Sequence, residues 1–135
     1  MAIFNPLNIE HSRPKETPWM GLASVQDDPL YVAFTDMKYC YRAGTKIFQS
    51  YQARGINTPE HAIATWAPPE ENPTDTYIDN MCAWCGVLTN QIVDFGDPTF
   101  MLLWLRGITR QEQGTTIAAT INSDVIRAGI ALALK

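Results

Sequence analysis

The first 34 residues alternate between short apolar runs and polar turns that contain proline. Residues 22–25 and 30–34 are the clearest apolar runs, and the polar segment 26–29 lies between them. Each proline removes a backbone donor and restricts the residue before it, so the four prolines in this part exclude a long helix. The pattern predicts a small antiparallel β-hairpin, which must pack on helices because a two-stranded ribbon is only marginally stable alone.

From residue 35 onward the apolar spacing becomes helical. A capping side chain, often followed by proline, opens each apolar stripe, and a glycine or a proline pair ends most of them. The pattern predicts five helices. They lie between Thr35 and Gly55, Thr58 and Trp66, Asn72 and Gly86, Asp97 and Gly114, and Asn122 and Leu132.

These elements predict a single domain over residues 1–135. We expect the α+β class, mostly helical, with about five helices and a small N-terminal β-hairpin. A chain of 135 residues with 46% hydrophobic and 18% charged residues has the composition of an ordinary folded globule. No internal repeat or low-complexity linker divides it, so one hydrophobic core is expected.

Charge and hydropathy narrow the range of partners. Ten Lys and Arg against fourteen Asp and Glu give a net charge of −4, which argues against a nucleic-acid partner because phosphate backbones are bound by clustered cations. No apolar run approaches the roughly 20 residues needed to span a bilayer, so no membrane partner is expected. The first residues lack the basic and apolar regions of a secretory signal, which indicates synthesis in the cytoplasm without a signal peptide.

Few residues offer metal or nucleophilic chemistry. Cys82 and Cys85 have redox spacing, but they fall near a helix C-terminus, where the dipole raises thiol pKa values, so we expect structural cysteines. His11, His61 and Cys40 have no ligand-like spacing, and no phosphate-binding or dinucleotide-binding glycine loop occurs. We therefore expect no metal and no cofactor.

Carboxylate chemistry remains, and Glu112 is its candidate. Glu112 ends a strongly apolar helix just before Gly114, where a turn can direct its side chain into a cleft. Desolvation and the helix C-terminus raise the pKa of a carboxyl group placed there, as a general acid requires. The same position is also typical of a solvated glutamate in a last helical turn.

Three segments combine amides and aromatic rings in a way that suits a sugar ring. They are residues 5–9 (Asn-Pro-Leu-Asn-Ile), 19–21 (Trp-Met-Gly) and 66–74, which begins Trp-Ala-Pro-Pro-Glu-Glu-Asn. Aromatic rings stack on sugar rings, and amides form hydrogen bonds with sugar hydroxyl groups. A Trp before a proline corner, however, more often only packs against the core.

Together these segments resemble a bacteriophage and prophage family of small virion proteins. Members carry an Asn-Pro-Gly-Asn-Ile-Arg start and a Trp-Ala-Pro-Pro-x-x-Asn-x-Thr centre, and this chain continues in order with Tyr77-Ile78, Gly86-Val87 and Glu112-Gln113-Gly114. Leu7 and Glu10 stand where the family has Gly and Arg. Residues 110–111, Arg-Gln, stand where relatives tend to have His-His. The resemblance implies a phage virion location and other virion proteins as partners.

The start motif followed by Trp-x-Gly also resembles the substrate cleft of lysozyme-like glucosaminidases. This resemblance implies a lysozyme-like fold whose chain order can be rearranged, because the glutamate-bearing helix precedes the substrate-cleft segment in those enzymes but lies near the C-terminus here. The partner would be the glycan strand of peptidoglycan, with Glu112 as the general acid that protonates the glycosidic oxygen. The groove residues that it implies are Asn8, Trp19, Trp66, Asn72 and Tyr77.

Two functions remain open at this point. One is a phage-borne lysozyme or lytic transglycosylase, for which Glu10, Glu71 and Asp28 are candidate second carboxylates unless a single acid suffices. The other is a catalytically inactive structural protein of the capsid or tail that acts by packing against its neighbours. Four Trp, five Met and a proline-rich N-terminal arm are compatible with such an interface.

Overall fold

Six α-helices form the fold in the computed structural model, which describes residues 3–12 and 14–135. Met1, Ala2 and Arg13 lie outside the described residues. The helices are α1 (Met37–Ala53), α2 (Pro59–Trp66), α3 (Thr74–Cys85), α4 (Pro98–Gln113), α5 (Thr115–Thr120) and α6 (Ser123–Ala133). None of the described helices is long and apolar enough to cross a membrane.

Local capping chemistry determines where most of these helices begin. The side chains of Asp36, Thr58, Asp97 and Asn122 accept hydrogen bonds from backbone N–H groups in the first turns of α1, α2, α4 and α6. Such bonds satisfy donors that have no partner inside the helix. The helices α2 and α4 also carry proline in the first turn, where the missing N–H costs nothing.

The core is built around α4, whose Trp104 is fully buried. The rings of Phe48, Phe95 and Phe100 lie 5.3–5.7 Å from the Trp104 ring, measured between centroids. On the other side α1 and α6 pack so closely that a Cβ at Gly129 would lie 2.5 Å from the carbonyl oxygen of Lys38. Hydrogen bonds of Gln113 to Pro6 and of Asn8 to Glu112 hold the C-terminal end of α4 against the N-terminal segment of the chain.

The predicted α+β class is wrong, because the described residues form no strand and no β-hairpin. Residues 22–25 and 30–34 meet through a single antiparallel bridge, Leu22 to Phe34, and a second bridge joins Glu10 to Tyr31. The side-chain amide of Gln26 takes the place of the expected ladder. It donates to the carbonyls of Ala23 and Ala33 at 2.9 and 2.8 Å and accepts from the N–H of Ala33 at 2.8 Å.

The predicted helix count is also corrected, because α5 lies where no helix was expected. It has six residues and no side-chain cap, and it follows Gly114, whose φ of 86° turns the chain sharply after α4. Arg106 supports the segment by donating to the carbonyls of Ala118 and Ile121. The regular elements of the described residues are thus all helices, and the expectation of a lysozyme-like α+β arrangement falls with the hairpin.

Candidate functional site

An open groove of about 550 Å³ lies where the N-terminal segment, α1, α2 and the end of α4 meet. Residues 7–10, 30–31, 65–68 and 71–72 line it, together with Ile47, Tyr51 and Glu112. The lining therefore combines apolar and aromatic side chains with amides and carboxylates. This combination is typical of sites for small polar ligands.

Asn5 builds the wall of the groove from residues 5–9. It is fully buried, and its amide nitrogen donates to the carbonyls of Ile9 and Val32 at 2.9 and 2.7 Å. Its amide oxygen accepts from the N–H of Ile9 at 2.9 Å and from the Cys40 thiol at 3.3 Å. These bonds close the segment into a tight loop whose shape does not depend on a ligand.

The loop holds Asn8 in the left-handed backbone region, with a φ of 53°. Asparagine tolerates this conformation better than most residues. In that position the amide nitrogen of Asn8 donates to Oε1 of Glu112 at 3.0 Å. The amide of Gln113 donates to Oδ1 of Asn8 at 3.1 Å and to the carbonyl of Pro6 at 3.3 Å, which fixes the orientation of the Asn8 amide.

Tyr77 holds the other oxygen of the same carboxyl group. Its hydroxyl donates to Oε2 of Glu112 at 2.8 Å and accepts from the indole N–H of Trp66 at 3.1 Å. Tyr77 is only 2% exposed. Burial, followed by the negative charge of Glu112, raises the pKa of the phenol well above its usual range, so the phenol keeps its proton.

The proline corner after α2 is fixed by the polar residues that follow it. The hydroxyl of Thr74 donates to the carbonyl of Ala67 at 2.7 Å, and the amide of Asn72 donates to the carbonyl of Pro68 at 3.3 Å. The Trp66 ring lies 5.1 Å from the Phe48 ring. The Trp-Ala-Pro-Pro-x-x-Asn-x-Thr motif is therefore a structural unit that places Trp66 and Asn72 on the groove.

The groove is acidic. Glu10, Glu71 and Glu112 line it, and none of the described lining residues is a Lys, Arg or His. Glu10 is an exposed residue, but partial desolvation raises the pKa of its carboxyl group, and the negative charges of Glu71 and Glu112 raise it further. The site therefore favours neutral or positively charged polar ligands over anionic ones.

Among the residues singled out in the sequence, Asn8, Trp66, Asn72 and Glu112 line this one groove. Tyr77 lies behind it, in contact with Glu112 but not on the groove surface. Their roles toward a ligand stay predictions.

Trp19 lies outside the groove, packed against the core. The nearby Gly21 allows the Tyr39 ring to pack directly against the backbone, since a Cβ there would lie 2.1 Å from that ring. Asp28 is not a groove residue either. Its carboxylate accepts from the N–H groups of Leu30 and Tyr31, and these bonds lower its pKa.

Sequence reasoning missed the supporting role of Gln113 and the groove positions of Tyr31 and Tyr51. The only sequence signal for Gln113 was its place in the Glu-Gln-Gly motif. Nothing local to residues 31 or 51 indicates the groove, because both depend on distant segments that fold together.

The cysteines are free thiols, and those of Cys40 and Cys82 are buried. Burial raises the pKa of all three, that of Cys85 to about 12, and their structural role stays a prediction. Among residues 3–12 and 14–135, no three His, Cys, Asp or Glu side chains are grouped to hold a metal ion.

The described residues define a small helical protein with an acidic groove that aromatic and polar side chains line. No family model matches the chain. The chain is 35% identical over 88 residues to Protein P5 of Pseudoalteromonas phage PM2, and the alignment covers 64% of this chain. It covers 55% of Protein P5, so the chain spans about half the length of the relative.

This similarity agrees with the expected phage origin. It does not support the motif resemblance to small virion proteins or the resemblance to lysozyme-like enzymes.

Proposed function

We propose that this protein is a component of a phage virion that acts by packing against other virion proteins. The observation that carries the proposal is the similarity to a phage protein. Exposed apolar side chains support it further. Leu88 is 69% exposed and Ile92 is 74% exposed, and both lie on the loop between α3 and α4, where a turn joins residues 88 and 91. Exposed apolar groups are frequent at protein contacts.

The test is the composition of purified particles of the phage that encodes the chain. Mass spectrometry of gradient-purified particles should find this protein at a constant ratio to the main capsid protein. The double variant Leu88→Ser, Ile92→Ser should lower that ratio, whereas Leu103→Ser, on exposed α4 surface, should leave it unchanged. Presence in the lysate combined with absence from the particles contradicts the proposal.

The groove supports a second function, cleavage of a glycan strand such as that of peptidoglycan. The specific observation is that Asn8, Trp66, Asn72 and Glu112 line one groove, together with the carboxylates of Glu10 and Glu71, and that Asn8 bonds Glu112. A pair of carboxyl groups that flank the scissile glycosidic bond is the catalytic machinery of most glycosidases. The lack of lining cations suits an uncharged sugar backbone.

This second function is tested by release of soluble glycan fragments from purified peptidoglycan. Glu112→Gln keeps the shape of the side chain and removes its charge, so it should abolish release by the active protein. Glu60→Gln, an exposed glutamate on α2 outside the groove, is the matched control and should release fragments at the wild-type rate. No release by the wild type at any pH contradicts the cleavage function.

A further inference from the structure

The helix α1 carries cations and no carboxylate. Lys38, Arg42 and Lys46 lie on it, and none of its 17 residues is Asp or Glu. The whole chain has fourteen Asp and Glu against ten Lys and Arg, so this helix departs from the acidic character of the protein. Spacings of four residues place the three cations along one face of the helix, as a basic stripe about 12 Å long.

The basic stripe is not neutralised within the described part of the chain. No described residue forms an ion pair with Lys38, Arg42 or Lys46. The Nε atom of Arg42 is buried and has no hydrogen-bond partner among the described residues. Like charges four positions apart repel each other, and a cation in the first turn, such as Lys38, opposes the helix dipole. The stripe therefore destabilises the isolated chain, and an anionic partner would offset that effect.

The groove is the opposite surface in charge and in shape. Its carboxylates, none of which belongs to a described ion pair, are those of Glu10, Glu71 and Glu112. Its aromatic side chains are those of Tyr31, Tyr51 and Trp66. An ionised carboxylate only accepts hydrogen bonds, whereas ammonium and guanidinium groups only donate them. Aromatic rings pack against the aliphatic stems of lysine and arginine and attract their charged ends, so the groove suits these side chains.

The stripe and the groove lie on different sides of α1, so they do not meet within one molecule. Ile47 and Tyr51 are the residues of α1 that line the groove, and they lie five positions after Arg42 and Lys46. Five positions turn an α-helix by about 140°. The two surfaces of one molecule therefore face away from each other, whereas those of two molecules are free to meet.

We infer that the basic stripe of one molecule binds in the acidic groove of a second copy of this chain. The inference rests on the first proposed function, packing in a virion, and names one partner of that packing. The contact is heterologous, because the two molecules use different surfaces. Each bound molecule keeps one unused surface, so repetition of the contact builds rings or open chains of molecules.

Sedimentation velocity of the full chain, from micromolar to millimolar concentration, tests the contact. The wild type should form dimers and larger species as the concentration rises. The stripe variant Arg42→Ala, Lys46→Ala should weaken self-association at least about tenfold, because it removes two of the three cations. The groove variant Glu71→Lys should do the same, because it places like charges opposite each other.

Matched controls change the net charge by the same amount outside both surfaces. Arg127→Ala, Lys135→Ala removes two exposed cations, and Glu60→Lys reverses an exposed carboxylate on α2. Both should associate as the wild type does.

A mixture of the two defective variants gives the sharper result. The stripe variant keeps an intact groove and the groove variant keeps an intact stripe, so together they should form a 1:1 dimer that grows no further. A general structural defect in either variant would not be rescued by mixing. Where circular dichroism shows that the stripe variant misfolds, Lys38→Ala, Lys46→Ala takes its place, since it keeps the half-buried Arg42.

The possible failures are distinguishable. A wild type that stays monomeric at millimolar concentration overturns the inference, while its presence in purified particles leaves the virion role standing. Self-association that neither variant weakens, or a mixture whose components stay monomeric, overturns the inference as well. Absence from the particles contradicts the virion role whatever the sedimentation result.

Discussion

The hydroxyl of Tyr77 donates a 2.8 Å hydrogen bond to Oε2 of Glu112, which joins the first turns of α3 to the last turn of α4. These residues lie 35 positions apart in the chain. The bond makes the position of Glu112 a property of the packed helices and not of its own flexible side chain. A site residue held in this way is preorganised for a ligand.

Tyr77→Phe should lower the free energy of unfolding by about 1–3 kcal/mol. The variant removes the donor to Glu112 and leaves the indole N–H of Trp66 without its acceptor, and unpaired buried polar groups cost about that much. Urea unfolding measures the change. Tyr39→Phe is the matched control, since no described residue bonds the Tyr39 hydroxyl, and a loss as large in that variant would contradict the explanation.

Asn8→Gly should be more stable than Asn8→Ala by about 1 kcal/mol, because alanine disfavours the left-handed region and glycine does not. Both variants lose the Asn8 side-chain amide, so the difference between their unfolding free energies reports the cost of the left-handed backbone conformation. Ser50, in the helical backbone of α1, provides the control pair. There the order should reverse, with Ser50→Ala about 1 kcal/mol more stable than Ser50→Gly. The same order at both positions rejects the left-handed assignment.

Gly129→Ala should lower the free energy of unfolding by about 1–3 kcal/mol, in the range for overpacked sites. A Cβ at this position would meet the backbone of Lys38 and Arg42 at 2.5 and 2.8 Å, and backbone atoms cannot move aside. Gly107→Ala is the control. Its Cβ would lie too close only to the end of the flexible Met81 side chain, at 2.8 Å, with Trp84 at an ordinary contact distance of 3.6 Å, so the loss of stability should be smaller. Thermal unfolding that ranks the two variants in the opposite order is inconsistent with this packing.

Glu10 should make stability depend on pH in a defined direction. Its folded pKa is raised above the ordinary value of 4.5, so the folded protein binds more protons than the unfolded chain from about that pH upward. The contribution of Glu10 is therefore fully present at low pH and is lost as the pH rises through the folded pKa. Relative to Glu10→Gln, the wild type should lose stability as the pH rises from below 4.5 toward neutrality.

The comparison is made by urea unfolding of both proteins across that pH range. The stability difference between the wild type and Glu10→Gln should change less with pH in a Glu71→Gln background, because the charge of Glu71 helps to raise the pKa of Glu10. Parallel curves for the wild type and Glu10→Gln at all pH values contradict a raised pKa at Glu10.

The helices were predictable because their signals are local. Thr58 before Pro59 and Asp97 before Pro98 cap α2 and α4 as their sequence pattern indicates. The absence of the hairpin could not be predicted from the sequence. Apolar runs around a polar turn look the same whether a backbone ladder or the Gln26 side-chain amide forms the hydrogen bonds between them. A six-residue helix without a side-chain cap, such as α5, leaves no periodic signal of useful length.

The groove was predictable only in part. Glu112 and the Asn-Pro-x-Asn-Ile loop stand out as local patterns, but Asn8 and Glu112 are 104 positions apart, so their contact is a product of the whole fold. Trp19 looked like a sugar platform because composition cannot distinguish an aromatic ring on a groove from one on the core. The place of Tyr77 behind Glu112 likewise follows from helix packing.

The central claim about the groove is the proposal that it binds a sugar chain beside Glu112, and the most direct test is NMR detection of binding. Chitotetraose is added to the ¹⁵N-labelled protein while side-chain N–H signals are recorded. We predict shifts of the Trp66 indole and of the Asn8 and Asn72 amides, with the Trp84 indole, which lies on α3 outside the groove, unchanged. Shifts confined to Trp84 or Trp19, or none at millimolar sugar, contradict the claim.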